Sequence, residues 1–121
     1  MCSKCVYYGG QMKLAIVGSR KLSNIDLERY VSEEISEIVS GGAVGVDSCA
    51  SEYAKKNGLK LTEFLPQYDR YGRAAPIIRN RQIADYADKI IVFWDGKSKG
   101  ALSVIKYSQK IGNPLEVILY K

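Results

Sequence analysis

The 121-residue chain contains no histidine. It therefore has no Ser-His-Asp or Cys-His nucleophile, no metal centre built on imidazole and no imidazole acid or base near neutral pH. Chemistry is left to carboxylates, Arg, Lys, Tyr, Cys and the backbone. Acidic residues are in deficit, 13 against 18 Lys and Arg, which leaves a formal charge of +5. That excess suits anionic ligands, whether nucleic acid or a small phosphate compound. Cysteine is scarce, and three residues cannot all pair, so a reducing cytoplasm is the expected location. Long apolar runs are missing too. The longest, Ile90 to Trp94, suits a buried strand and falls far short of the ~20 residues of a membrane span. No membrane partner is expected.

What remains reads as one ordinary globular domain with an extension. Residues 1–12 form the extension, and a single domain covers 13–121. Cys2 and Cys5 make half of a zinc-type spacing. With no second pair and no histidine, a closed intramolecular site lacks ligands, so no metal and no cofactor is expected.

From Lys13 onward, short β-branched runs alternate with segments of helical period. The runs Leu14–Val17, a short one around Ile38-Val39, Lys60–Leu65, Lys89–Trp94 and Leu115–Leu119 read as strands. Ser23 with Asp26 resembles a capping box, followed by Leu27, Val31, Ile35 and Ile38 at helical spacing. Further helices are predicted near Ala50–Ala54 with a stop at Asn57-Gly58, over Ile77–Tyr86 with Ile78, Ile83, Ala84 and Ala87 inward, and over 101–111 on Leu102, Ile105 and Ile111. Five strands alternating with four helices predict a Rossmann-like α/β sandwich around a mostly parallel sheet.

Ligands of such sheets bind beyond the carboxyl ends of the strands, at helix N-termini. The loops there hold Gly18-Ser19-Arg20, then Ser40 to Asp47 with Gly41, Gly42, Ala43 and Gly45, then Asp95-Gly96-Lys97-Ser98-Lys99-Gly100. Of six arginines, only Arg29 lies away from this edge; Arg20, Arg70, Arg73, Arg79 and Arg81 belong to it. Arginine's planar fork pairs phosphate bidentately, although loops also tolerate arginine for solvation alone. Glycine before a helix brings amides close to an anion. The G-x-G-x-x-G and G-K-[ST] spacings are both missing. Asp47 reads either as a ribose-hydroxyl acceptor or as a first-turn cap. Asp95-Gly96 is either part of a phosphate loop or a plain turn. Between 66 and 81, tyrosines interleave with arginines, a mix that stacks a base and pairs a phosphate; Tyr68 and Tyr71 equally suit packing on the sheet edge.

Four motifs in register, Gly18-Ser19-Arg20, Ser40 to Asp47, Tyr71-Gly72-Arg73-Ala74-Ala75 with Arg79-Asn80, and Trp94 to Gly100, resemble the SLOG superfamily. It joins the DNA-processing protein DprA to the "lonely guy" phosphoribohydrolases. The likeness is strongest to small stand-alone YspA/YpsA-related bacterial members and spans roughly 13–119. It implies nucleotide binding, with phosphate on Gly41, Gly42, Gly45, Ser98 and Gly100, paired by Arg20 and Arg79. Asp47 or Asn80 would read the ribose and Tyr71 or Trp94 would flank the base. Gly18, Ser19, Ala43, Arg73, Asp95 and Gly96 complete the implied site.

Arg79 occupies a position like the hydrolases' catalytic Arg, but the last loop lacks their Pro-Gly-Gly and following Glu. Expectation therefore favours a binder or sensor of a small nucleotide. An N-glycosidic hydrolase using Arg79 with Asp47 or Asp95 is one alternative, and single-stranded nucleic-acid binding is another. Apolar outer helix faces would also suit a homo-oligomer.

Overall fold

A computed structural model describes residues 12–19, 21–22, 24–31, 35–42 and 45–120. Cys2, Cys5, Arg20, Ser23 and Ala43, all singled out above, lie outside the described residues. Five strands form one sheet: β1 (Met12–Gly18), β2 (Ile35–Ser40), β3 (Lys60–Glu63), β4 (Lys89–Trp94) and β5 (Leu115–Leu119). Their order is β3-β2-β1-β4-β5 and every pairing is parallel. Between them run α1 (Val46–Lys56), a one-turn α2 (Tyr68–Tyr71), α3 (Ala75–Tyr86) and α4 (Lys99–Ile111). The expected α/β class and parallel five-stranded sheet are both present.

The central strands are apolar on both faces because both faces are covered. On one side Leu14, Ile16, Ile38, Ile91 and Phe93 pack with Val46, Ala50 and Ala54 of α1 and with Leu22, Ile25 and Leu27. On the other, Ala15, Val17, Val39, Ile90 and Val92 pack with Ile83 and Ala84 of α3 and Ala101, Val104 and Ile105 of α4. One helix and an irregular segment therefore cover the first face, and two helices cover the second. Asn113 closes the far end of the second layer, its buried amide donating to the carbonyls of Ala84 and Ala87 at 2.8 and 2.9 Å.

Three expectations are corrected. The helix predicted from Leu27 is a short 3-10 turn, Leu27–Arg29, capped by Asp26, whose side chain accepts from the Glu28 amide at 3.2 Å. Ile35 and Ile38 stand on β2 instead. All four residues of the supposed stripe do reach one core cluster, but from two elements, so their helical spacing is a coincidence of packing. In the last helix, Val104 and Ser108 are buried while Leu102 is half-buried and Ile111 is exposed. The helix predicted from Ile77 begins earlier, at Ala75, and the chain is already helical from Tyr68 onward; Pro76 in the first turn of α3 is where proline suits a helix.

At the amino-terminal end of the sheet sits a buried acid. Glu37 accepts from Thr62 at 2.7 Å and from the Tyr86 hydroxyl at 2.6 Å, with the Lys60 ammonium 3.8 Å away. Burial by itself would raise this carboxyl, but those two hydrogen bonds and the Lys60 and Lys13 charges outweigh it and hold the group below the usual carboxylate range. Tyr86 is pushed up in turn, chiefly by that same hydrogen bond. The pair thus ties β2 and β3 to the end of α3.

Two outcomes test this account. A Cβ at Gly18 would lie 2.5 Å from the Phe93 carbonyl oxygen and 2.6 Å from Val46 Cγ2. Gly18→Ala should therefore destabilise by about 1–3 kcal/mol, read as a lowered urea midpoint at unchanged m. Because the folded pKa of Glu37 is depressed, its stabilisation is present above the unfolded value and is lost as pH falls below about 4. Tyr86→Phe should flatten that acid-side loss in stability measured across pH 2–6.

Candidate functional site

In this strand order the chain leaves β1 toward β2 and leaves β4 toward β5, so a crevice opens between the carboxyl ends of β1 and β4. The two ends are pinned together. The Ser19 amide donates to the Phe93 carbonyl at 3.0 Å, and the Asp95 amide donates to Ser19 Oγ at 3.2 Å. Around this point lies a cleft of about 370 Å³, lined by Gly18, Gly41, Gly42 and Asp47, by Leu65, Pro66 and Tyr68, by Pro76, Arg79 and Asn80, and by Ser98 and Gly100. That volume falls in the range of small-ligand sites.

Three helices begin at this cleft, α1 beside Asp47, α3 beside Pro76 and α4 beside Ser98 and Gly100. A helix N-terminus carries partial positive charge and orphan amides, so acidic residues are normally favoured there. Of these three, α1 has one, Asp47, and the first turns of α3 and α4 contain none; the one-turn α2, whose first residue Tyr68 also lines the cleft, carries Asp69. Lys99 even opens α4, where a cation is disfavoured by the dipole. The first turns of α3 and α4 thus leave their positive ends without an acid of their own, while Asp47 serves α1 and Asp95 accepts from the Ser98 amide ahead of α4.

Arg79 joins the strand loops to α3. Its Nη1 donates to the Gly41 carbonyl at 2.9 Å and its Nε to Asn80 Oδ1 at 2.9 Å. Asn80 in turn donates to Ser103 Oγ at 3.2 Å and to the Gly100 carbonyl at 3.4 Å. One guanidinium-amide pair thereby links the loop after β2 to the start of α4. Gly41 is the point of closest approach: a Cβ there would stand 2.5 Å from Arg79 Nη1 and 3.0 Å from Asp47 Oδ2. Beside it Gly42, at φ +69°, donates its amide to Ser40 Oγ, and a Cβ on it would run into Leu65.

The loop after β4 is organised by Asp95. Its carboxylate accepts from the Lys97 and Ser98 amides, both at 2.8 Å, and these bonds hold it below the usual aspartate range. Ser98 caps α4, its Oγ accepting from the Ala101 amide at 3.4 Å. The indole of Trp94 donates to the Ser98 carbonyl at 3.0 Å.

The structure therefore brings together Gly18, Gly41, Gly42, Asp47, Arg79, Asn80, Ser98 and Gly100 from the predicted set. Ser19 and Asp95 brace the edge from behind without lining the cleft. Trp94 and Tyr71, the expected base-flanking aromatics, do not line it either: Trp94 packs on the α3/α4 core, and the Arg70 guanidinium lies 5.3 Å over the Tyr71 ring. Arg73 is exposed in the Gly72–Ala74 turn, and Gly96 neighbours Leu119 on β5. The aromatic at the mouth is Tyr68, which the sequence left open between stacking on a base and packing on the sheet edge; with Leu65 and Pro66 it forms an apolar lip, Leu65 and Tyr68 each 60% exposed. That lip is spelled out in the sequence as the Pro-bounded exit of β3, but its position opposite Arg79 follows only from the sheet order.

A second groove of about 430 Å³ lies on the α1 face and includes Gly45. Asp26, Glu28 and Glu52 give it acidic walls, and Lys56 pairs with Glu28 at 3.1 Å. Tyr53 there has its hydroxyl pushed up by burial and then by Glu28. Its character is opposite to that of the strand-end cleft.

Because the folded Asp95 carboxyl is depressed, the order it imposes is present above the ordinary aspartate pKa and disappears only under stronger acid. By amide hydrogen exchange, Lys97 and Ser98 should stay protected as pH falls through the ordinary aspartate range, about 3.9. In Asp95→Ala that protection should be gone already at neutral pH.

Comparison with known proteins places this geometry. The family described as DNA recombination-mediator protein A matches residues 4–67, just over half of the chain. No curated protein matches. Among solved structures, the X-ray structure of DNA processing protein A (DprA) from Streptococcus pneumoniae superposes with a TM-score of 0.73 at 23% identity, covering 91% of this chain. The chain spans about half of that protein, 51% of its length. The shared fold is the Rossmann-like core of the DprA-type superfamily. On its matching residues, the chain belongs to the DNA recombination-mediator protein A family.

Proposed function

We propose that the strand-end cleft binds the sugar-phosphate of a nucleotide presented within single-stranded DNA. The observation that carries this reading is the meeting of three helix N-termini, two of them without an acidic residue, around Arg79 at the crevice between β1 and β4. Family membership supports DNA as the polymer. In this reading the phosphate lies against Gly41, Gly42, Ser98 and Gly100, with Arg79 as its charged partner. Two of the guanidinium's five N–H groups are engaged by Gly41 and Asn80, which holds the fork in place for the rest to meet an anion. Asp47 accepts from the sugar. Tyr68 and the Leu65-Pro66 lip take over the base-stacking role first assigned to Tyr71 or Trp94. The domain that does this is residues 13–121, with 1–12 as an extension, in a cytoplasmic protein closest to the YspA/YpsA-related members.

A free nucleotide is the second reading, favoured by a cleft whose 370 Å³ holds about one nucleotide. Hydrolysis through Asp95 is not supported, since that carboxylate turns onto its own loop amides.

Fluorescence anisotropy with a labelled oligothymidylate tests the proposal. Binding should weaken with added salt, as counterion release requires, and Arg79→Ala should lower affinity at least about tenfold, the scale of one charge-assisted hydrogen bond, when assayed well below its melting temperature, which should itself fall because the Gly41 carbonyl and Asn80 lose their donor. Absence of binding at 20 mM salt overturns the reading. Competition by a mononucleotide at equal nucleotide concentration, as effective as the oligomer itself, would favour the free nucleotide instead.

A further inference from the structure

The chain's positive charge is distributed very unevenly between the two faces of the sheet. On the α1 face, residues 21–22, 24–31 and 45–58 hold four Lys or Arg against four Asp or Glu. On the opposite face, α3 with the segment 97–111 holds six against one, Asp85, and that carboxylate accepts from the Tyr107 hydroxyl at 2.8 Å. Within α4 the pattern sharpens. Residues 99, 103, 106 and 110 follow one another at four, three and four positions, which places them in a single line along the helix. They are Lys99, Ser103, Lys106 and Lys110, the three lysines all exposed, on the side opposite buried Ala101, Val104, Ile105 and Ser108.

An exposed helix face is expected to be polar; a face of one sign is not, because alternating charges would stabilise it by i, i+4 pairing. No acidic residue occurs anywhere in α4. The line also begins at the cleft: Ser103 accepts from Asn80, and Lys99 precedes Gly100. From there it descends about 16 Å at 1.5 Å per residue.

Building on the cleft reading above, we propose that the outer face of α4, through Lys106 and Lys110 below Lys99, is a phosphate track for the continuation of the same single strand. Arg81 on α3 flanks it, stacked 5.5 Å over the Tyr107 ring. The cleft holds one nucleotide, and the helix face carries the phosphates that follow it. A strand long enough to leave the cleft gains contacts that a very short one cannot make.

The test compares labelled dT4 and dT20 across a salt series, using the full chain, a Lys106→Gln/Lys110→Gln variant and a Lys55→Gln/Lys56→Gln control that removes the same charge from the α1 face. Wild type should bind dT20 more tightly than the greater number of registers explains. In the α4 variant that excess should vanish and the salt slope for dT20 should fall by about 1.4, two phosphates at ~0.7 each, with dT4 affinity and melting temperature unchanged. The control should keep the wild-type slope. An unchanged dT20 slope in the α4 variant overturns the track while leaving the cleft reading intact, provided Arg79→Ala still weakens dT4. An equal loss in the control overturns it as well, since net charge alone would then account for the effect. If wild type binds neither oligomer, the cleft reading fails and the track fails with it.

Discussion

Everything at the carboxyl edge depends on one close approach, that of β1, β4 and α1 at Gly18. No side chain fits between the Phe93 carbonyl and Val46, so the start of α1 settles directly onto the ends of the two central strands. That contact brings the helix with its Asp47 to the crevice, and it lets Ser19 span from the Phe93 carbonyl to the Asp95 amide. A side chain at 18 would push α1 outward and separate the loop after β2 from the loop after β4. The crevice would then lose one of its walls.

The opposite ends of the sheet carry opposite electrostatic arrangements. At the amino end a buried carboxylate is fully satisfied by Tyr86 and Thr62 with lysines nearby, an arrangement that joins elements and leaves nothing for a ligand. At the carboxyl end helix dipoles, Arg79 and Lys99 accumulate with Asp47 as the one acid in the first turns of the three long helices. The buried ionic tie therefore lies at one end of the sheet and the cleft at the other. The separation extends across the layers as well: the α1 side has an acidic groove, the α3/α4 side a surplus of cations.

Arg79 joins the loop after β2 to the helices that follow β3 and β4. Its bond to the Gly41 carbonyl supports the glycine turn after β2, and its pairing with Asn80 passes that support to Gly100 and Ser103 of α4. Both acceptors that hold the guanidinium are neutral, and the Asp47 carboxylate stands beside it across Gly41.

Sequence alone located the five strands and the three long helices and pointed to a mostly parallel sheet, because short β-branched runs alternating with helical periods favour right-handed crossovers. It also pointed to Gly41, Gly42, Arg79, Asn80, Ser98 and Gly100 as one site, since these residues sit where a parallel sheet exposes its strand ends. Tertiary structure decided the rest. Ile35 and Ile38 keep helical spacing with Leu27 yet belong to a strand, because pairing beside Met12 and Leu14 buries them on a partner that local periodicity does not contain. Trp94 and Tyr71 look like stacking residues, but the Ser98 carbonyl holds one and Arg70 covers the other, whereas Tyr68 reaches the mouth. Which aromatic meets a ligand depends on the direction in which each side chain leaves the sheet edge, and that direction is set by contacts far apart in the chain.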